Sequence, residues 1–179
     1  MTPEYWKRVD AAIKDLGNRL ADTAAIGDRA ALRRLNYAAP DSPAFWKIVV
    51  STLDQVIAND EPDRGRDERR WAALLAGLAE ISGAGLHRSG RPLGEAAAAA
   101  KLLEARFTKL LRAHGDALLD QIQPLAHQLV AKGERTDWSD VARLVLSDGA
   151  PNEDEVRRHL AQRYYATLHK SAATKEPIA

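Results

Sequence analysis

Apolar residues recur every three or four positions through almost the whole chain, and nowhere do they alternate long enough to build a sheet. The first stripe is Trp6, Val9, Ile13, Leu16 and Leu20, opened by Thr2 as a cap and Pro3 in the first turn. Later stripes repeat the spacing: Phe45, Ile48, Val49, Leu53; Trp71, Leu74, Leu75, Leu78, Ile81; Leu118, Leu119, Ile122, Leu125, Leu129; Trp138, Val141, Leu144, Val145; Val156, Leu160, Tyr164, Leu168. Each stripe is one helix face that must be buried against another. The pattern predicts an all-α fold, a compact bundle of about eight helices joined by mostly short turns. The 179 residues suit a single helical domain over 1–170, or two packed halves at 1–92 and 93–170, with residues 171–179 as a flexible tail.

Turn-forming residues set the expected boundaries. Gly27-Asp28 breaks the first pattern and caps a short second helix. Ser42-Pro43 starts a third. Residues 59–70 are polar, charged and contain Pro62 and Gly65, so they read as a surface loop. Residues 82–92 hold Gly83, Gly85, Gly90 and Pro92, and are predicted to be disordered until something binds. Pro124 should kink or split its helix. Lys132-Gly133 ends that helix, and Thr136-Asp137 caps the next.

Residues 93–115 carry the strongest helical signal. Positions 96–100 are all alanine, the residue of highest helix propensity. Leu103, Phe107 and Leu110 then make an apolar stripe on what is predicted to be one continuous helix. Lys101, Lys109 and Arg112 fall together on the opposite side, with Glu104 only at the edge. Like charges on one face repel weakly in water and are favoured beside a polyanion.

Charge is distributed unevenly. The formal net charge is +1, from 26 basic and 25 acidic side chains. Yet residues 86–115 contain Arg88, Arg91, Lys101, Arg106, Lys109 and Arg112 against only Glu95 and Glu104. The second helix adds Arg29, Arg33 and Arg34, read as an exposed cluster able to meet an anion. Arg143 is expected to point outward from its own helix. The aromatic residues sit mostly in core register, which favours phosphate contacts over base stacking.

Several function classes are excluded by the same reading. There is no cysteine, so no disulfide, thiolate nucleophile or cysteine zinc site. The five histidines form no HExxH motif, and no serine sits in a nucleophile elbow. The Gly-rich phosphate loops are absent. Neither catalysis, a cofactor nor a metal is expected. No apolar run approaches a membrane span and the N-terminus has no signal-peptide core, so a cytoplasmic protein without membrane contact is expected.

The segment GDRAALRRL…DSPAFWKIV, residues 27–49, resembles CasB, the small-subunit family of the type I-E CRISPR surveillance complex Cascade. Leu93-Gly94 after a basic loop, EARFTKLLRA at 104–113, TDWSDVARLV at 136–145 and the aromatic pair Tyr164-Tyr165 follow in the order that family shows. The resemblance implies an all-helical, non-enzymatic subunit, present in two copies between the crRNA-bound backbone subunits and the large subunit. It implies a basic surface that holds the displaced single-stranded DNA and keeps the R-loop open. By position it carries that role onto Arg33, Arg34, Lys101, Arg106, Arg112 and Arg143; Arg29, Arg88, Arg91 and Lys109 join them from charge alone. The sequence departs from the family at Ser147-Asp148-Gly149, where an aromatic is usual, and in the acidic run 152–155. Two other classes remain open: a helical adaptor whose arginines meet acidic proteins, and a helix-turn-helix regulator. The latter lacks a recognition helix rich in Asn, Gln, Ser and Arg at its start.

Overall fold

The computed structural model describes residues 2–173, and among these there are nine α-helices and no strand. They are α1 (Pro3–Ala21), α2 (Ile26–Arg33), α3 (Pro43–Ile48), α4 (Asp63–Gly83), α5 (Leu93–Ala99), α6 (Glu104–Arg112), α7 (Gly115–Ala131), α8 (Trp138–Leu146) and α9 (Glu153–Ala173). Because α9 runs to Ala173, residues 171–173 of the expected tail are helical; the rest of that tail lies outside the described residues.

The fold is organised around α4. From Trp71 to Ala79 this helix is buried on every side. Trp71, Leu74, Leu75 and Leu78 fill one side, and the small Ala72, Ala73, Ala76, Gly77 and Ala79 let neighbours approach the others. At Gly77 the indole of Trp138 occupies the place of a Cβ, and its Nε1 donates to the Leu74 carbonyl at 3.0 Å. Helices α7, α2, α1 and α8 pack around this rod. A helix apolar all round belongs in the middle of a bundle.

The first half of α4 lies in the region predicted to be a loop. Residues 63–70 are helical because their charges are paired along the helix and to neighbours. Arg64 meets Glu68 at 2.9 Å and Arg66 meets Asp63 at 3.1 Å. Arg69 reaches Asp116 at 2.6 Å, and Arg70 donates to the Asp148 carbonyl at 2.6 Å. Composition reads as loop, while i,i+3 and i,i+4 pairing with tertiary anchors makes helix.

The expected disordered segment is also pinned. Gly85, at φ +69°, ends α4, and the chain then runs beside residues 134–137. Thr136 N–H donates to the Leu86 carbonyl at 3.0 Å, Arg88 N–H to the Thr136 carbonyl at 2.9 Å, and Asp137 N–H to the Arg91 carbonyl at 2.7 Å. The His87 ring lies where Gly17 of α1 lacks a Cβ. The second helix begins at Ile26, after a 3₁₀ turn at Thr23–Ala25 that Asp22 caps, rather than at Gly27-Asp28. Helix α7 continues unsplit through Pro124.

The alanine-rich helix does not continue to residue 115. It stops after Ala99, and Lys101 takes a left-handed conformation, φ +54°. Lys101 N–H donates to the Ala98 carbonyl and Leu102 N–H to the Ala97 carbonyl, both at 3.0 Å, the hydrogen-bond pattern of a Schellman cap. Tertiary packing sets the break. α5 lies against α9 so closely that a Cβ on Gly94 would sit 2.5 Å from the Leu160 carbonyl oxygen. Tyr164 Oη of α9 donates to the Leu102 carbonyl at 2.6 Å.

Candidate nucleic-acid interface

The break separates Lys101 from Lys109 and Arg112, so the three do not share one helix face. Lys101 is exposed on the elbow between α5 and α6. Leu103, expected in the apolar stripe, is 68% exposed at the start of α6. Phe107 and Leu110 are buried as predicted.

Past the elbow, α6 lies alongside α7 with a groove between them. Leu102, Arg106, Lys109 and Leu110 line one wall, and Asp120, Gln121, Pro124 and Gln128 the other. That part holds about 440 Å³. It continues past Glu104, Thr108 and Arg112, sharing Lys109, Ala117 and Gln121. Arg106, Lys109 and Arg112 are all exposed, and among the described residues none forms an ion pair. Arg106 donates to Gln128 Oε1 at 3.3 Å and otherwise faces solvent.

Two carboxylates line the groove, and each accepts a hydrogen bond from a tyrosine. Tyr37 Oη donates to Asp120 at 2.5 Å, which pushes the phenol up to about 12. Tyr165 Oη donates to Glu104 at 2.9 Å. Three cations therefore face two acids that already have partners, and the groove keeps a positive excess.

The other candidates are placed elsewhere. Arg29 donates to the Leu20 carbonyl at 2.7 Å and the Asp22 carbonyl at 2.5 Å, closing the end of α1. Arg33 pairs with Glu80 at 3.1 Å and lies across Gly83 of α4. Neither belongs to a free cluster on the exposed side of α2; both orient that helix on its neighbours. Arg91 meets Glu95 at 3.3 Å and Glu134 at 3.9 Å. Arg143 meets Asp10 at 2.5 Å and sits 5.9 Å from the Trp6 ring centre, joining α8 to α1. Burial raises the pKa of Asp10, with Arg143 opposing it. Arg34 and Arg88 are exposed, and neither lines the α6–α7 groove. So the groove brings together Arg106, Lys109 and Arg112, with Lys101 at its approach.

Sequence reasoning missed the far wall. Ala117, Gln121, Pro124 and Gln128 are spaced four, three and four apart, a polar stripe on an otherwise apolar helix. That stripe was the available signal. Tyr165, outside the apolar stripe of its helix and given no role by charge or spacing, is 44% exposed.

One further charged cluster lies at the start of α7. His114 Nδ1 is 2.9 Å from Asp148 and 3.0 Å from Glu153, a spacing compatible with a metal ion. Arg157, only 10% exposed at its side chain, donates to both carboxylates at 2.9 Å and to the Leu111 carbonyl at 2.5 Å. Arg157, with Arg70 3.9 Å from Asp148, already supplies two positive charges to these two carboxylates, so the cluster is an ion-pair network that ties α9 to the end of α6. It also accounts for Glu153 within the acidic run 152–155.

A family model for the CRISPR-associated protein Cse2 matches residues 28–165. Among solved structures, CasB from Thermobifida fusca superposes with a TM-score of 0.67 at 18% identity, over 92% of this chain and 99% of its own. CasB from M. ruber gives the same TM-score and identity, over 92% of this chain and 98% of its own. At that identity the two structures establish a shared fold. No curated protein matches the chain.

Proposed function

The chain belongs to the CRISPR-associated Cse2 (CasB) family, a structural subunit of type I-E Cascade, and from that premise we propose that it holds the displaced DNA strand of the R-loop in the α6–α7 groove. One observation carries the reading: Arg106, Lys109 and Arg112 line a single groove, and among the described residues no carboxylate pairs with any of them. Replacing a DNA duplex by a guide heteroduplex is nearly balanced in energy, and contacts to strand backbones tip the balance. Cations on a rigid helical body supply such contacts without reading sequence. The role is non-enzymatic. Its partners are the backbone and large subunits of the complex, crRNA, the displaced single strand and a second copy of this chain.

With a net charge of +1 the free protein binds single strands weakly, and tight binding arises inside the assembly through multivalency. The test is a salt titration of single-stranded DNA binding by the full chain. Three phosphate contacts predict that log K falls against log salt with a slope of roughly −2. A flat response would overturn the proposal in favour of an adaptor without nucleic-acid contact.

A further inference from the structure

Among the described residues most aromatic rings lie in or against the core, and Trp46 and Tyr165 are the exposed ones. The Tyr165 ring is 44% exposed and is held in two ways. Its hydroxyl donates to Glu104 at the start of α6, at 2.9 Å. Its ring makes a T-shaped contact with the Tyr164 ring, 5.3 Å away at 85°. Tyr164 is itself stacked on Phe107, at 4.1 Å and 19°, inside the core. The exposed face of Tyr165 therefore belongs to a rigid aromatic cluster, so engaging it orders little that is not already ordered.

The residue before Glu104 is Leu103, the other large apolar side chain exposed at this point. Its exposure follows from the elbow. The left-handed Lys101 turns the chain so that Leu102 enters the core and Leu103 leaves it. Around these two apolar surfaces the charge is mostly positive: Lys101 precedes them, and Glu104 shares its groove with Lys109 and Arg112. The Glu104 carboxylate accepts the Tyr165 hydroxyl. Val50, also strongly exposed, instead shares its groove with two acids, Asp15 and Asp54, against one cation, Arg8. An apolar patch tied through Glu104 to a groove that Lys109 and Arg112 line has the chemistry to meet a nucleotide, flat ring and anion together.

We propose that Tyr165 and Leu103 form a stacking platform for one unstacked nucleobase of the strand whose phosphates lie along Arg106, Lys109 and Arg112. This rests on the reading of the groove given above and adds a second kind of contact to it. The platform selects single strands over duplex, because a paired base has no free face to offer.

The test uses the full chain, with a short oligothymidine and an abasic strand of the same length at low salt, read by fluorescence anisotropy. Tyr165→Ala is expected to weaken oligothymidine binding about fivefold or more and to leave the abasic strand unaffected, as loss of one base–aromatic stack predicts. Tyr165→Phe, which keeps the ring and loses the Glu104 bond, retains binding. Leu103→Ser gives a smaller loss of the same selectivity, from a residue whose exposure makes misfolding no explanation. If Tyr165→Ala weakens both strands equally, or neither, the platform is refuted. The same holds if it changes assembly with the other Cascade subunits while DNA binding stays constant, which marks a protein contact. The double variant Lys109→Glu/Arg112→Glu is measured alongside. If it weakens both strands while Tyr165→Ala does nothing, the groove stands and only the platform falls; if it weakens neither, both fall.

Discussion

On α6, Arg106, Lys109 and Arg112 face solvent without a carboxylate partner among the described residues, whereas Arg29, Arg33, Arg91 and Arg143 each reach a carbonyl or carboxylate of their own chain. Both groups are basic residues on helices, and the sequence reading placed them in one set. The difference lies in what stands opposite. The paired arginines sit where two elements meet, and their charge is spent on positioning α2, α8 and the loop before α5. The groove cations face a wall of glutamine, alanine and proline whose one carboxylate, Asp120, already accepts the Tyr37 hydroxyl. A basic residue is available to a polyanion only when its own fold leaves it without a partner.

The strongest way to break this contrast is at its paired extreme. Arg157→Met removes the guanidinium shared by Asp148 and Glu153, leaving the nearly buried Glu153 without a guanidinium and Asp148 with Arg70 alone, 3.9 Å away. A loss of about 3–5 kcal/mol is expected in urea unfolding. A loss near zero would mean that the network is not structural. Gly94→Ala follows, at about 1–3 kcal/mol, since the new methyl would meet the backbone of α9 at Leu160 and Tyr164. An unchanged stability would show that α5 and α9 can separate freely.

Lys109→Glu/Arg112→Glu sharpens the comparison from the other side. Single-strand affinity should fall by about tenfold and the salt dependence become shallower, while the thermal midpoint stays where it was. Arg143→Gln should do the reverse: a small loss of stability, at most about 1 kcal/mol for a partly exposed pair, and unaltered DNA affinity. If Arg143→Gln weakens binding as much as the groove variant, paired and unpaired cations are not distinct classes here.

The smallest expected effect concerns pH. Burial against α1 lowers the pKa of His87 from its ordinary 6.5, with Asp137 opposing. The folded ring resists protonation while the unfolded one accepts it. Its contribution to stability is therefore complete above 6.5 and is lost as pH falls from there toward the folded value. Asp10, Asp67 and Asp140, whose carboxyls burial raises, act in the opposite sense over a window that begins at 3.8. Comparing the thermal midpoint at pH 7 and about 5.5 in the parent and in His87→Gln isolates the histidine, and the variant should show the weaker decline.

The helix faces were legible because burial and periodicity are local facts. Trp71, Leu74, Leu78, Trp138 and Leu160 are all buried where the spacing put them. The breaks were harder. The alanine run predicts a helix that continues past residue 100, and nothing nearby in sequence signals that Tyr164 will take the Leu102 carbonyl. Residues 63–70 look like a loop until Arg69 and Arg70 find Asp116 and Asp148. Of the site, Arg106, Lys109 and Arg112 were named in advance, but as part of a wider set and on a helix drawn too long. The glutamine wall of α7 was written in the spacing and went unread.

By itself the sequence determined that this chain is helical, that its core is a set of 3.6-period faces, and which segments are basic. Those properties depend on residues within a few turns of one another. Only the tertiary structure decided which cations remain free, because a guanidinium's partner is whatever the fold brings within about 3 Å of it, from anywhere in the chain. Local pattern specifies the charge of a surface; long-range contacts specify how much of that charge is left for a ligand.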